Sequence, residues 1–319
     1  MNGTDTSSGA IPTFNVILLA VGSIGVFFNS LILLVFLTNK RVRTRSHLMM
    51  FNLALSDIWG SLMILLNYSI PLFQRGPGPV PSGILGYFVC HIMKTAYLQW
   101  AAYRTSGMNI SIISIERYFA VLHPQRYKSV FSKRKLCFLI AICWIYPHIM
   151  DMSKVFVPYV ENSECKDDYT REHVFYFGIW LMIDYLILKV SVPVYCYLRV
   201  MLALRKRSQQ FKSNMSKREI MMRRAENKVT LMVFVISVIF VCTTMPSLIN
   251  YVAMLLFGSP IGEFGSVFEK FTVILLFSNA TVNFFTYAFS NKEFRSKTIA
   301  KKSFALALLI KVTMNQPVF

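Results

Sequence analysis

The chain has 319 residues, 55% of them hydrophobic and only 15% charged, with a mean hydropathy of +0.49. A soluble domain carries roughly a quarter charged residues, so this balance excludes a water-soluble globule and indicates a membrane protein. The formal charge of +19 invites a nucleic-acid partner, but its placement along the chain removes that reading.

Residues 1–12 form a short polar tail without a basic start, so no cleavable signal peptide is evident and the first apolar stretch is expected to act as the insertion signal. Asn2 begins the sequon Asn2-Gly3-Thr4, an expected glycosylation site. A spanning helix needs about 20 mainly apolar residues. Seven windows supply them, near 11–37, 48–73, 86–122, 136–159, 174–204, 229–257 and 266–289. They lack the alternation of a membrane barrel, so the expected fold is an all-α bundle of seven transmembrane helices.

Segments 39–47, 117–135, 199–228 and 291–319 hold 4, 6, 10 and 6 Lys or Arg, which is 26 of the 34. The positive-inside rule assigns these four segments to the cytoplasm. The N-terminus then lies outside and the C-terminus inside, and the charge describes topology. The expected organisation is an outer tail over 1–12, a seven-span domain over 13–290 and a cytoplasmic tail over 291–319. Of the six Cys, only Cys90 and Cys165 fall in outward-facing positions, on the oxidising side.

Charged residues are rare in the spans, so the pair at the inner end of the third, in Glu116-Arg117-Tyr118, reads as machinery. Other marks follow in order. Asn29 lies in the first window, Asn52-Leu53-Ala54-Leu55-Ser56-Asp57 in the second, and His123-Pro124 after the third. Trp144 marks the fourth, Pro193 the fifth, Pro246 the sixth, and Asn283-Phe-Phe-Thr-Tyr287 the seventh.

In this ordered set the chain resembles the rhodopsin-like (class A) G-protein-coupled receptors over nearly all of residues 11–300. The resemblance implies a disulfide between Cys90 and Cys165. It also implies a polar cluster of Asp57, Ser106, Asn279 and Asn283. Two readings of that cluster stand: a sodium site with oxygen ligands, or a hydrogen-bonded group without an ion. Arg117 is expected to pair with Glu226, 20 residues before Pro246, and to act with Glu116, Tyr118, Asn283 and Tyr287 in G-protein coupling. Asn291-Lys-Glu-Phe-Arg295 resembles the start of a short interfacial eighth helix.

The chain also departs from the family pattern. Cys90 stands 27 residues before Arg117, two more than the family usually has, so a bulge or a longer outer end is expected in the third helix. Thr244 replaces the span-six Trp, Phe284 the span-seven Pro, and Met201 the span-five Tyr. The substitution by Phe284 resembles some neuropeptide receptors.

Family correspondence turns Gln99, Tyr103, Arg104 and Lys189 toward a ligand pocket, with Asn250, Tyr251 and Lys270 nearer its mouth; Lys94, in the outer half of the third window, is a further ligand candidate. Phe277 occupies the position of a retinal Lys and Gln99 that of an amine-binding carboxylate, which argues against opsins and monoamine receptors. Arg104 and Lys189 suit a carboxylate or phosphate, unless Asp151 or Asp184 neutralises them internally.

The outer loop near Cys165 is acidic. The expected ligand is therefore a short peptide, with a small organic acid or lipid as the alternative. Heterotrimeric G protein and membrane lipids are the implied inner partners. A tail with few Ser or Thr leaves arrestin capture weak. No enzyme motif lies within the spans. A transporter is the competing class, but the internal repeat common in transporters is missing.

Overall fold

The computed structural model describes residues 13–38, 45–73, 78–167, 171–210, 217–257 and 267–290. The tail carrying Asn2, the expected eighth helix, and the side chains of Glu226 and Tyr287 lie outside the described residues. Helix α1 is Thr13–Thr38 and α2 is Arg45–Ser69. The third crossing begins as the short helix Ile84–Phe88, widens into a π-helical segment Val89–Lys94, and resumes as α3, Tyr97–Leu122. Helix α4 is Lys133–Asp151. Helix α5 is Arg171–Gln210, with the stretch Asp184–Ser191 in π geometry. Helix α6 is Lys217–Phe257 and α7 is Val267–Ser290.

Five of these helices are long and apolar enough to cross a membrane by composition alone: α1, α2, α4, α5 and α6. The other two, α3 and α7, carry buried polar rows, including Gln99, Arg104, Ser106 and Asn109 on α3 and Asn279 and Asn283 on α7. Those residues lower hydropathy because they face protein. The outward faces stay apolar, with Phe27, Leu37, Ile145, Ile149, Leu198 and Leu202 exposed, as contact with lipid tails requires.

Helix α3 packs against α2, α4, α5 and α6, while α1 packs on α2 and α7. Small residues permit the closest approach: a Cβ on Gly25 of α1 would fall 2.3 Å from Ser61 Oγ of α2, the small-residue packing common in membranes. Each motif asparagine makes an interhelical bond. Asn29 Nδ2 donates to the Ala280 carbonyl at 2.8 Å. Asn52 Nδ2 donates to Asn109 Oδ1 at 2.7 Å, and Trp144 Nε1 donates to Asn52 Oδ1 at 2.9 Å. In hydrocarbon an unpaired polar group costs several kcal/mol, which is why these residues sit opposite one another.

The outer surface holds one structure that helical periodicity does not announce. Strand β1, Gly78–Pro79, and the hairpin of β2, Pro158–Glu161, and β3, Glu164–Asp167, form an antiparallel sheet in the order β1-β3-β2. The two turn residues Asn162 and Ser163 have φ of 51° and 60°, as in a type I′ hairpin. Lys166 bonds Glu161 across the hairpin at 2.5 Å, and that bond holds the Glu161 carboxyl below the usual range. Cys165 of β3 is disulfide-bonded to Cys90 in the third crossing. The bond pins the sheet over Val80 and Val89.

Between Cys90 and Arg117 the backbone is irregular where the π segment ends. There Ala96 takes a left-handed conformation, φ 53° and ψ 30°, which costs an L-residue roughly 1–2 kcal/mol. Ala96→Gly is expected to leave the fold intact and raise stability by up to about 1 kcal/mol, whereas Ala96→Val lowers it. Thermal unfolding of the purified protein reads this, and a loss in Ala96→Gly matching that of Ala96→Val contradicts the backbone assignment.

Candidate functional site

At the inner end of α3, Arg117 is held by its neighbour. Its Nε donates to Glu116 Oε2 and its Nη2 to Oε1, both at 2.6 Å. Tyr127 Oη adds a third bond to Glu116 Oε1 at 2.6 Å. Tyr127 comes from the short helix Pro124–Val130, which has Pro124 in its first turn. Sequence reading missed this Tyr. The available signal was an aromatic one turn after a helix-starting proline. Tyr118 is half-buried and lies 3.4 Å from His123 Nε2. The expected Glu226 partner falls among side chains outside the described residues.

Midway through the bundle, Asp57 is buried. Ser106 Oγ donates to its Oδ1 at 2.7 Å and Asn283 Nδ2 to its Oδ2 at 2.6 Å, which joins α2, α3 and α7. Beside it is a cavity of about 20 Å³ lined by Asp57, Ser61, Ser106 and Asn279, with Gln99 and Tyr103 above. That is room for about one water-sized species. Asn279 Oδ1 lines this space buried and without a hydrogen-bond partner.

The space left by the missing span-six Trp is filled by other rings. Tyr103 Oη and Thr244 Oγ1 share a short hydrogen bond. Phe240 stacks on Tyr103 at 5.7 Å, and Phe277 meets Trp100 and Tyr103 at 5.5 and 6.1 Å. Gly107 makes this possible: a Cβ there would fall 2.6 Å from Phe240 Cζ and 3.1 Å from the Lys189 stem. Phe284, in place of the span-seven Pro, stacks on Phe28 of α1 at 4.4 Å. Tyr197 lies one turn before Met201 on the same face of α5, buried beside Ser114 and against Phe234.

The outer set of expected ligand residues is not one basic floor. Arg104 Nε lies 2.8 Å from Asp151 Oδ2, close in distance but off a hydrogen-bond line. Arg104 Nη1 reaches Asp184 Oδ2 at 3.4 Å. Lys189 also bonds Asp184, and Tyr146 Oη donates to Asp184 Oδ1 at 3.1 Å. Arg104 and Lys189 are only 3% and 1% exposed. Internal carboxylates match these two cations, as buried charge in a membrane demands, which is the arrangement that the second of the two readings of Arg104 and Lys189 describes.

The π segment explains how. In an α-helix, residues five apart are separated by about 140° around the axis, so Asp184 and Lys189 would diverge. The i→i+5 register brings them to one face.

The remaining expected residues are dispersed. Gln99 accepts a bond from Asn67 Nδ2 at 2.8 Å. Lys94 is buried near Gly78 of β1. Asn250 and Tyr251 are half-buried on α6, and Lys270 is exposed on α7.

A helical bundle with a disulfide-pinned outer loop, a buried Asp57 centre and an Arg117 cluster at the inner end matches one large class. The family model described as 7 transmembrane receptor (rhodopsin family) covers residues 28–287, and the chain belongs to that family. It is therefore a multi-pass plasma-membrane receptor.

Among curated relatives, somatostatin receptor type 5 of Rattus norvegicus is 25% identical over 88% of this chain and 75% of its own length. Galanin receptor type 1 of Rattus norvegicus is 24% identical over 86% of this chain and 77% of its own. Melatonin receptor type 1C of Xenopus laevis is 23% identical over 91% and 67%.

Asp184→Asn is expected to destabilise the receptor by about 3–5 kcal/mol, because it leaves Lys189 without its carboxylate in low dielectric, while Arg104 keeps Asp151. The double variant Asp184→Asn with Lys189→Met should recover much of that loss. Thermal unfolding of the single and double variants measures the coupling. Additive losses would contradict the buried pairing.

Proposed function

We propose that this receptor takes a short extracellular peptide at its outer end and activates heterotrimeric G proteins at its inner end, with the N-terminus outside. The observation that carries the coupling half is the buried Glu116–Arg117–Tyr127 cluster, a charged group at a helix end whose pairing is built to be exchanged. A partner that binds better when Arg117 leaves Glu116 shifts the population toward the state in which it has left.

The peptide half draws support from relatives named for somatostatin and galanin, and from the acidic hairpin rim with Glu161 and Glu164 exposed. A small organic acid was argued from Arg104 and Lys189, and both are engaged internally. Membership of a receptor family also favours signalling over transport.

Sodium fits the middle cavity by its donor set. The Asp57 carboxylate, the Ser106 hydroxyl and the otherwise unbonded Asn279 Oδ1 are hard oxygen groups around a space of ionic size. When bound, the ion would supply one positive charge opposite Asp57. Asn283 and Ser106 already orient that carboxylate.

Arg117→Ala is expected to reduce exchange on a purified G protein to the uncatalysed rate while surface expression persists. Unchanged exchange would refute the coupling role. Replacing sodium by N-methyl-D-glucamine at constant ionic strength should lower the wild-type Tm by a few degrees and leave Asp57→Asn unaffected. The same change in both proteins would refute a sodium site.

A further inference from the structure

A groove of about 350 Å³ lies on the membrane-facing side of the bundle, between α3 and α4. Tyr97 of α3 lines it with Trp144, Ile145, His148, Ile149 and Met152 of α4 and its outer end. Positions 145, 148, 149 and 152 recur at helical spacing and form one stripe. Ile145, Ile149 and Met152 are exposed, so in a bilayer they meet hydrocarbon. The volume falls in the range of small-molecule pockets, roughly 300–1,000 Å³.

One polar atom in this apolar wall is uncommitted. His148 stands in the last turn of α4, at the disulfide-bearing end of the bundle. Its Nδ1 lies 2.6 Å from the Trp144 carbonyl. A carbonyl only accepts, so Nδ1 donates, and the neutral ring then carries a lone pair on Nε2. Nε2 has no partner among the described residues, and it is not sealed in the interior. The Tyr97 ring meets the imidazole edge-on at 5.8 Å and, with the Trp144 bond, holds its orientation. The donors beside it are taken. Tyr97 Oη donates to the His148 carbonyl at 3.1 Å, and Trp144 Nε1 donates to Asn52. The groove therefore offers an acceptor and no spare donor.

Charge and stiffness select among lipids. No Lys or Arg lines the groove, so a phosphate headgroup finds no counter-charge there. An ether, ester or ketone oxygen meets the Nε2 lone pair with another lone pair, whereas a hydroxyl donates to it. A flexible acyl chain loses conformational freedom on binding, and a rigid ring body does not. A sterol carries one hydroxyl at the level of the headgroups and its rings in the hydrocarbon, which matches the height of His148.

We infer that this groove is a sterol site in the leaflet at the disulfide-bearing end, with the sterol hydroxyl donating to His148 Nε2 and the rings lying along Ile145 and Trp144. It requires only that the bundle is embedded in a bilayer, and it is independent of the peptide and coupling proposals.

The experiment uses the full-length receptor in detergent micelles and thermal unfolding with three probes: cholesterol, its 3-methyl ether, and phosphatidylcholine. Cholesterol at ten times its dissociation constant is expected to raise the wild-type Tm by about 3 °C. The methyl ether and the phospholipid should leave it in place. His148→Phe should abolish the shift and His148→Gln, which restores an acceptor, should retain it. Ile145→Trp fills the groove from its open side without touching the bonds of His148, and it should also abolish the shift.

Equal shifts from cholesterol and its methyl ether, or a full shift in His148→Phe, overturn the hydroxyl contact. A full cholesterol shift in Ile145→Trp overturns the location. A phospholipid shift as large as that of cholesterol and lost in Ile145→Trp assigns the groove to an acyl chain and overturns the sterol. No wild-type shift with any probe overturns the site itself.

Discussion

The constraint on which this structure depends is that a bilayer offers polar groups no solvent. Charged and amide side chains inside the bundle are therefore drawn to other protein groups, and those that reach another helix help set which helices touch and where. Asp57 fastens α2 to α3 and α7. Asn52 joins α2, α3 and α4 through Asn109 and Trp144. Arg104 draws α4 and α5 onto α3 through two carboxylates. Lipid tails supply no hydrophobic force between helices, so these few contacts and the small-residue seam at Gly25 carry much of the specificity.

The same constraint explains what could be read from the sequence. Seven apolar windows, an asymmetric distribution of Lys and Arg, and single polar residues at ordered positions are simple to see because hydrocarbon tolerates so few exceptions. The disulfide and the irregular outer end of the third crossing were also legible, the latter from two residues too many between Cys90 and Arg117. What was not legible depends on local backbone geometry. The hairpin turn uses Asn162 and Ser163 at positive φ, where a glycine would have announced it. Pairing of Asp184 with Lys189 requires a register that an α-helical wheel does not contain. Whether Arg104 and Lys189 face a ligand or pair with Asp151 and Asp184 was therefore left open by the sequence.

The departures from the family pattern are filled by side chains nearby. Where the span-six Trp is absent, Phe240 packs over Gly107, Tyr103 meets both Phe240 and Phe277, and Thr244 contributes a hydroxyl bonded to Tyr103. Phe284 keeps the backbone N–H that a proline would remove and packs its ring on Phe28. Tyr197 brings a buried phenol toward α3 one turn away from Met201.

The widened turn in α5 decides which residues of that helix share a face. One additional residue per loosened turn rotates everything on the outer side of Asp184 relative to everything beyond Ser191. Counting positions outward from Pro193 on an ideal α-helical wheel therefore assigns residues such as Trp180 and Phe177 to the wrong face.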